Sequence, residues 1–283
     1  MEYQIIVDSC VDFNEEVFGD PNEIKRIPFQ LLIDDEALTD EGLDSDELIR
    51  KMKASKRKIT TACPSLHDYL EAYKSCAVNY VVTISSRLSG SFQSAMAAKQ
   101  MLEESGSTSK VYVIDSKSAS AGQTLVVLQL KRMLEQRMEN SQILLRLSHY
   151  ITHLQTLFVP VSLNNLEKNG RIKGIQVIVS KVLHIIPILG SNGDGVLELK
   201  EKARGEKQAM EKLLNIIRRD AVNMTESVLA ITHVDARAKA EELCEKIKSL
   251  FSFREVIIFQ ASGLSTVYAD EWDCAFVLIF MIK

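Results

Sequence analysis

Between residues 80 and 138 short apolar, strand-forming runs alternate with longer stretches of helical period, and this alternation restricts the fold more than any other feature. Tyr80–Ile84 reads as a strand, Ser89–Glu104 as a helix, Val111–Ile114 as a strand and Ala119–Met138 as a helix. A strand, a crossover helix and a second strand in one sheet make a right-handed unit with parallel strands. The pattern therefore predicts a doubly wound α/β sheet.

The flanking segments extend it. Gln4–Asp8 reads as a buried parallel strand ending at Asp8-Ser9, Ile24–Ile33 as a second extended segment and Asp44–Ala54 as a helix. A break at Thr60-Thr61-Ala62-Cys63-Pro64 precedes a helix from about Ser65 to Cys76, and Asn140–Gln155 is helical. The texture then changes. Leu157–Val161 predicts a strand, Leu163–Lys168 a short helix with Gly170 as C-cap, and Ile175–Leu183 a helix. Ile185–Leu189 and Val196–Lys200 flank Gly190-Ser191-Asn192-Gly193-Asp194-Gly195, which is hairpin chemistry. Helices at Glu206–Val222 and Ala236–Phe251, strands at Val228–Thr232 and Val256–Gln260, and a terminal strand within Cys274–Ile282 follow. We place a boundary near 155. Residues 1–155 are expected to form a parallel-sheet α/β domain with the binding loops, and residues 156–283 a second α/β domain with a mixed or antiparallel sheet.

Composition narrows the function classes. The 283 residues are 46% hydrophobic and 25% charged, with a net charge of −4, so nothing global favours nucleic acid or an anionic membrane surface. The five cysteines are scattered without a CxxC pair, which fits a reducing compartment. Met1–Gln4 shows no basic region or long apolar run, and Cys274–Ile282 is shorter than the about 20 residues that cross a bilayer. A cytoplasmic protein without stable membrane insertion is expected.

In an open parallel sheet, ligands bind beyond the carboxyl ends of the strands. There the chain places Asp8-Ser9, then Ser85-Ser86-Arg87-Leu88-Ser89-Gly90-Ser91, then Asp115-Ser116-Lys117-Ser118-Ala119-Ser120; the Thr60-Thr61 turn opens another helix. Small hydroxyls beside helix N-termini can receive a carboxylate or phosphate with no cationic side chain. The plainer reading is that they are ordinary N-caps.

Absences matter as much. The chain has no GxGxxG after the first strand, no GxxxxGK[ST] and no HExxH. No metal and no cofactor are expected. A serine nucleophile needs a base, and the histidines are His67, His149, His153, His184 and His233. His149 and His153 share a helix face but lack an adjacent Glu, so a surface pair is the simpler reading. His233 follows a strand directly, and either faces a cleft or bonds local backbone. Asp8 has no second acid two residues on to hold magnesium, so it reads as orienting Ser9 or capping a turn; Cys63 reads as a buried filler.

Together these segments resemble the DegV family of bacterial lipid-binding proteins over nearly the whole chain. The resemblance rests on Ile6-Val7-Asp8-Ser9, Thr61-Ala62-Cys63-Pro64-Ser65, Ser85 to Ser91, and Asp115-Ser116-Lys117-Ser118 with Gly122-Gln123. It continues in Leu166-Glu167-Lys168-Asn169-Gly170-Arg171-Ile172, in Pro187-Ile188-Leu189 with Gly195 and Lys202-Ala203-Arg204-Gly205, and in His233-Val234-Asp235. It implies a long-chain fatty acid bound between two domains, its carboxylate held by Thr61 and Ser89, with Ser86, Gly90, Ser118 and His233 completing the ligand-binding set. It also implies a non-catalytic subunit of a fatty-acid kinase, whose separate ATP-binding subunit phosphorylates the acid for phospholipid synthesis; Arg171 and Arg204 would form the docking face. The chain departs from the family at Ala62, Cys63, Asn169 and Ile186, and carries Gly263–Asp270 where many members have His-Thr-Gly-Pro-Gly-Ala. The competing expectation is a stand-alone hydrolase or phosphotransferase using Ser89 or Asp8 on a small anionic or acyl substrate.

Overall fold

The structure is a computed structural model that describes residues 3–19, 23–160, 162–172, 185–269 and 276–281. The predicted helix at Ile175–Leu183, with His184, lies outside them, as do Cys274, Ala275 and Ile282.

Strands β1 (Gln4–Asp8), β2 (Ile24–Ile27), β6 (Val78–Thr83) and β7 (Lys110–Asp115) form a parallel sheet in the order β2-β1-β6-β7. Side chains alternate across it, as strand geometry requires. Ile6, Val81 and Val111 pack on helices α3 (Leu66–Tyr73) and α4 (Ser91–Glu104). Ile5, Val7, Tyr80 and Val82 pack on α5 (Ala121–Glu135) and α6 (Asn140–Thr152). Helices on both faces make this sheet doubly wound, as the alternation predicts.

The second large sheet has the order β10-β9-β8-β13-β11-β12, from β8 (Leu154–Val159), β9 (Ile185–Ser191), β10 (Leu197–Arg204), β11 (Val228–His233), β12 (Glu255–Gln260) and β13 (Phe276–Met281). Only β11 and β12 pair in parallel, so this sheet is mixed, again as expected. One face packs on α8 (Gly205–Asp220) and α9 (Arg237–Leu250); on the other, Val228, Ala230, Ile257 and Phe259 meet α5 and α6. Helix α5 thus lies between the two sheets. Its sequence, Ala-Gly-Gln-Thr-Leu-Val-Val-Leu-Gln-Leu, is apolar nearly all round, and every residue from Ala121 to Leu128 is buried.

Two expectations need correction. Ile24–Ile33 is two strands in different sheets, because Pro28 has no N–H to continue the ladder and the Phe29 N–H donates to Ser9 Oγ (2.9 Å). Thr60–Ala62 is not a turn opening a helix but strand β5, the edge of a small antiparallel sheet β4-β3-β5 with β3 (Gln30–Ile33) and β4 (Glu36–Thr39). Helix α3 is instead opened by a capping box of Ser65 and Asp68. Gly263–Ala269, to which the sequence assigns no element, is a helix, α10. Two shorter helices, α1 (Glu15–Phe18) and α7 (Asn164–Lys168), and α2 (Ser45–Ala54) complete the set; Gly170, with φ +70°, follows α7 as expected for a left-handed terminator. No described helix is long and apolar enough to cross a membrane.

Candidate functional site

Beyond the carboxyl ends of the parallel sheet, three loops are fixed by buried carboxylates. Asp8, wholly buried, accepts from the Ile84 N–H (2.9 Å), Ser91 Oγ (2.6 Å), Gln123 Nε2 (3.0 Å) and the Cys10 N–H (3.3 Å). Burial pushes its pKa up against those donors. Both oxygens are occupied, so Asp8 ties the first loop to the second and to α5 rather than offering a nucleophile; the Ser9 hydroxyl bonds Asp40 instead (2.7 Å). Asp12 accepts from Ser120 Oγ, from Thr232 Oγ1 (2.6 Å) and from the Ser262 N–H (2.9 Å). Burial raises it to about 6. Ser120, held at φ +55°, ψ −135°, also donates its N–H to Cys10 Sγ (3.4 Å). A non-glycine residue in that region persists only when its surroundings over-determine it. Asp40 accepts from the Gly263 and Leu264 N–H groups (3.0 Å each) and is likewise raised by burial.

These loops border a cavity of about 100 Å3. Its apolar walls include Phe29, Ile84, Leu88, Phe158, Leu166 and Leu197, and its polar side chains are Thr61, Ser89, Ser120, Thr156, Ser265, Tyr268 and Arg171. Strands β5, β8 and β10, the loop after β6, α10 and the segment after α7 all contribute, so both large sheets frame one space. Thr61 Oγ1 and Tyr268 Oη are hydrogen-bonded at 2.8 Å. The Ser89 hydroxyl accepts the Ser91 N–H at 3.3 Å at the start of α4.

Of the expected ligand-binding residues, Thr61 and Ser89 line the cavity together. The others stand outside its described lining, each with a local task. The Ser86 N–H donates to Asp115 (3.1 Å). Gly90 caps α4 where an added Cβ would meet Cys63 Sγ at 3.3 Å. Ser118, buried, shares a hydrogen bond with Thr156 (2.8 Å) and so joins the third loop to β8. His233 is buried, its Nδ1 accepting the Ala236 N–H (3.4 Å), while Nε2 has no partner among the described residues. Burial and Arg237 lower its pKa.

The two arginines also separate. Arg204 is exposed at the start of α8, whereas Arg171 is half-buried, lines the cavity and donates through Nε to the Leu88 carbonyl (2.7 Å) and through Nη1 to Asn169. A cation therefore does stand in the lining, against the expectation of hydroxyls alone. His149 and His153 stack at 4.1 Å on the outside of α6. Sequence reasoning missed Tyr268, Thr156 and Phe158; only Ser262-x-x-Ser265, a helix-start pattern, signalled α10.

The model of the DegV family, whose description is of uncharacterised proteins, matches residues 2–280. The chain belongs to the DegV family. A DegV domain-containing protein of Streptococcus pyogenes is 31% identical over 274 residues, covering 96% of this chain and 97% of that one. A DegV family protein from Ruminococcus gnavus, solved with vaccenic acid, superposes with a TM-score of 0.92 at 35% identity, over 99% of both chains. The Fatty Acid Kinase (Fak) B3 protein of Streptococcus pneumoniae, solved loaded with linoleic acid, gives 0.89 at 27% identity over the full length of both. The DegV architecture thus accounts for the whole chain, its late helix α10 included.

Proposed function

We propose that this DegV protein binds one long-chain fatty acid in the cavity and presents the carboxylate to a separate ATP-dependent fatty-acid kinase subunit. The observation that carries the reading is a cavity with greasy walls on which Thr61, Ser89 and Arg171 converge, framed by both halves of the chain. The fatty acids in the R. gnavus and S. pneumoniae structures support it. Burying a methylene is worth about 0.8 kcal/mol, so roughly fifteen supply on the order of 12 kcal/mol before association costs are subtracted. The tail grips and the polar groups orient.

An apolar cavity of about 150 Å3 takes up benzene, so the about 100 Å3 of this partly open cavity is room for only a few methylenes. On this reading a long tail parts the walls. Leu88 and Leu197 are the natural movers, each half-buried on a loop or an edge strand. The chain has no phosphate-cradling glycine loop, so the reading assigns ATP to a partner, in the cytoplasm, and leaves exposed Arg204 as the docking candidate. Arg171 moves from docking to the acid end. The division near 155 is part of the same reading, since the parallel sheet lies before it and the mixed sheet from Leu154 onward. A hydrolase reading lacks a base: no histidine stands among the described lining residues.

The test is native mass spectrometry of protein purified from a bacterial host, followed by incubation with the delipidated protein. One fatty acid per chain is expected, along with acyl phosphate formation when a fatty-acid kinase ATP-binding subunit, ATP and magnesium are added. No acid carried and none taken up overturns the reading.

A further inference from the structure

The buried carboxylates Asp12 and Asp40 are contributed by the first forty residues, yet both hold the start of a helix more than two hundred residues on. Ser262 donates its N–H to Asp12, and Gly263 and Leu264 donate theirs to the two oxygens of Asp40. Farther along the helix, Asn165 Nδ2 caps the Val267 carbonyl (2.8 Å). Leu264 and Val267 are buried on its inner side, which fixes its rotation. Helix α10 is therefore anchored at both ends, and of the two hydroxyls it brings to the cavity wall, Ser265 is bonded back to Ser262 while Tyr268 is set against Thr61.

We propose that Tyr268 is an acid-end binding residue of this protein, forming with Thr61 a paired-hydroxyl receptor that selects an ionised carboxylate. The proposal rests on the fatty-acid reading and names the donor that the family resemblance did not. The argument is a count of protons. Two hydroxyls carry two donor hydrogens, and their mutual bond uses one of them. A carboxylate only accepts, so it can take both hydrogens in exchange for that single bond, and bonds to an ionised acceptor are the stronger kind. A methyl ester carries no charge and repays the lost bond poorly. The pair thus costs neutral ligands more than it costs the anion. Asp40 acts one step removed, as a positioning residue for the helix.

The experiment compares the intact, delipidated protein with Tyr268→Phe, which keeps the ring and its packing, for binding of oleic acid and of methyl oleate by calorimetry or native mass spectrometry. The wild type is expected to prefer the acid. In Tyr268→Phe the acid should bind about tenfold more weakly while the ester changes less than about twofold. Equal weakening of both would mean a packing role only and would overturn the proposal, as would an unchanged preference for the acid. A wild type that binds neither ligand sinks the fatty-acid reading itself, and this inference with it.

Discussion

Replacing Asp12 with asparagine is expected to flatten the dependence of stability on pH between about pH 4 and pH 7. Asp12 is wholly buried, and burial raises its pKa from 3.8 to about 6 despite the hydrogen bonds from Ser120, Thr232 and Ser262. The sign follows from linkage. A carboxyl whose pKa is higher folded than unfolded holds its proton more tightly in the native state. It therefore adds nothing unfavourable below about 3.8, and destabilises the fold progressively as pH rises toward 6. Above that the cost is complete. About 1.4 kcal/mol per pKa unit gives roughly 3 kcal/mol for the whole swing, of which about 1.5 kcal/mol falls between about pH 5 and pH 7.5.

Asparagine is nearly isosteric, keeps an acceptor for the Ser262 N–H, and can donate to the Thr232 or Ser120 hydroxyl turned around as acceptor. Its cost is the same at either pH because it does not titrate. Asp8 and Asp40 are raised as well and contribute slopes of the same sign, so the wild type alone cannot isolate Asp12. The difference between wild type and variant can. Urea unfolding at about pH 5 and about pH 7.5, with free energies from linear extrapolation, should show the variant gaining about 1.5 kcal/mol relative to wild type at the higher pH. Parallel behaviour of the two proteins across that window would refute the assignment of a buried, raised carboxyl at Asp12.

Two further outcomes follow from the geometry. Gly195, at φ +82°, abuts Ser85 and Lys117, so a Cβ would lie 2.3 Å from Ser85 Oγ and 3.0 Å from Lys117 Cα; Gly195→Ala should cost about 2 kcal/mol or more in thermal or urea unfolding, and a loss below about 0.5 kcal/mol would contradict the docking of the β9–β10 hairpin there. Ala119 is half-buried on the cavity wall, and Ala119→Leu, which displaces about two methylenes of ligand, should weaken oleic acid binding roughly tenfold with little change in unfolding; undiminished binding would place the ligand elsewhere.

What could be read from the sequence was whatever rests on local period. The run from Val78 to Glu135 folds as its alternation predicts, because β1, β6 and β7 are flanked by helices close in the chain. The small sheet escaped notice because its strands are only three or four residues long, and β5 pairs with β3 across an intervening strand and helix. A run that short carries no usable period. Thr61 and Ser89 were legible from motif position. Arg171 was legible as a residue but not as a wall of the cavity, since its placement depends on where the Leu88 carbonyl comes to lie. Tyr268 was hidden in a stretch that looked merely divergent.

The carboxylates that bind the structure around the cavity were invisible for a deeper reason. Asp12 meets Thr232 and Ser262 across separations of 220 and 250 residues, and Asp40 meets Gly263 and Leu264 across 223 and 224. No sequence window connects them. Burying such groups weakens the fold at neutral pH, as the raised pKa of Asp12 implies, and an apolar contact of equal volume would cost less. Hydrogen bonds differ from apolar packing in demanding a particular partner at a particular distance. Three aspartates, each clamping elements remote in sequence, fix the parallel-sheet loops, strand β11 of the mixed sheet and helix α10 in one register beside the cavity. On the proposed function, walls that part for a long tail must surround an acid end that does not move. The polar clamps lie beside the cavity, while Leu88 and Leu197 in its apolar wall are only half-buried. On the proposed reading, the stability given up at Asp12 holds Ser262 at the start of α10, the helix that sets Tyr268 against Thr61.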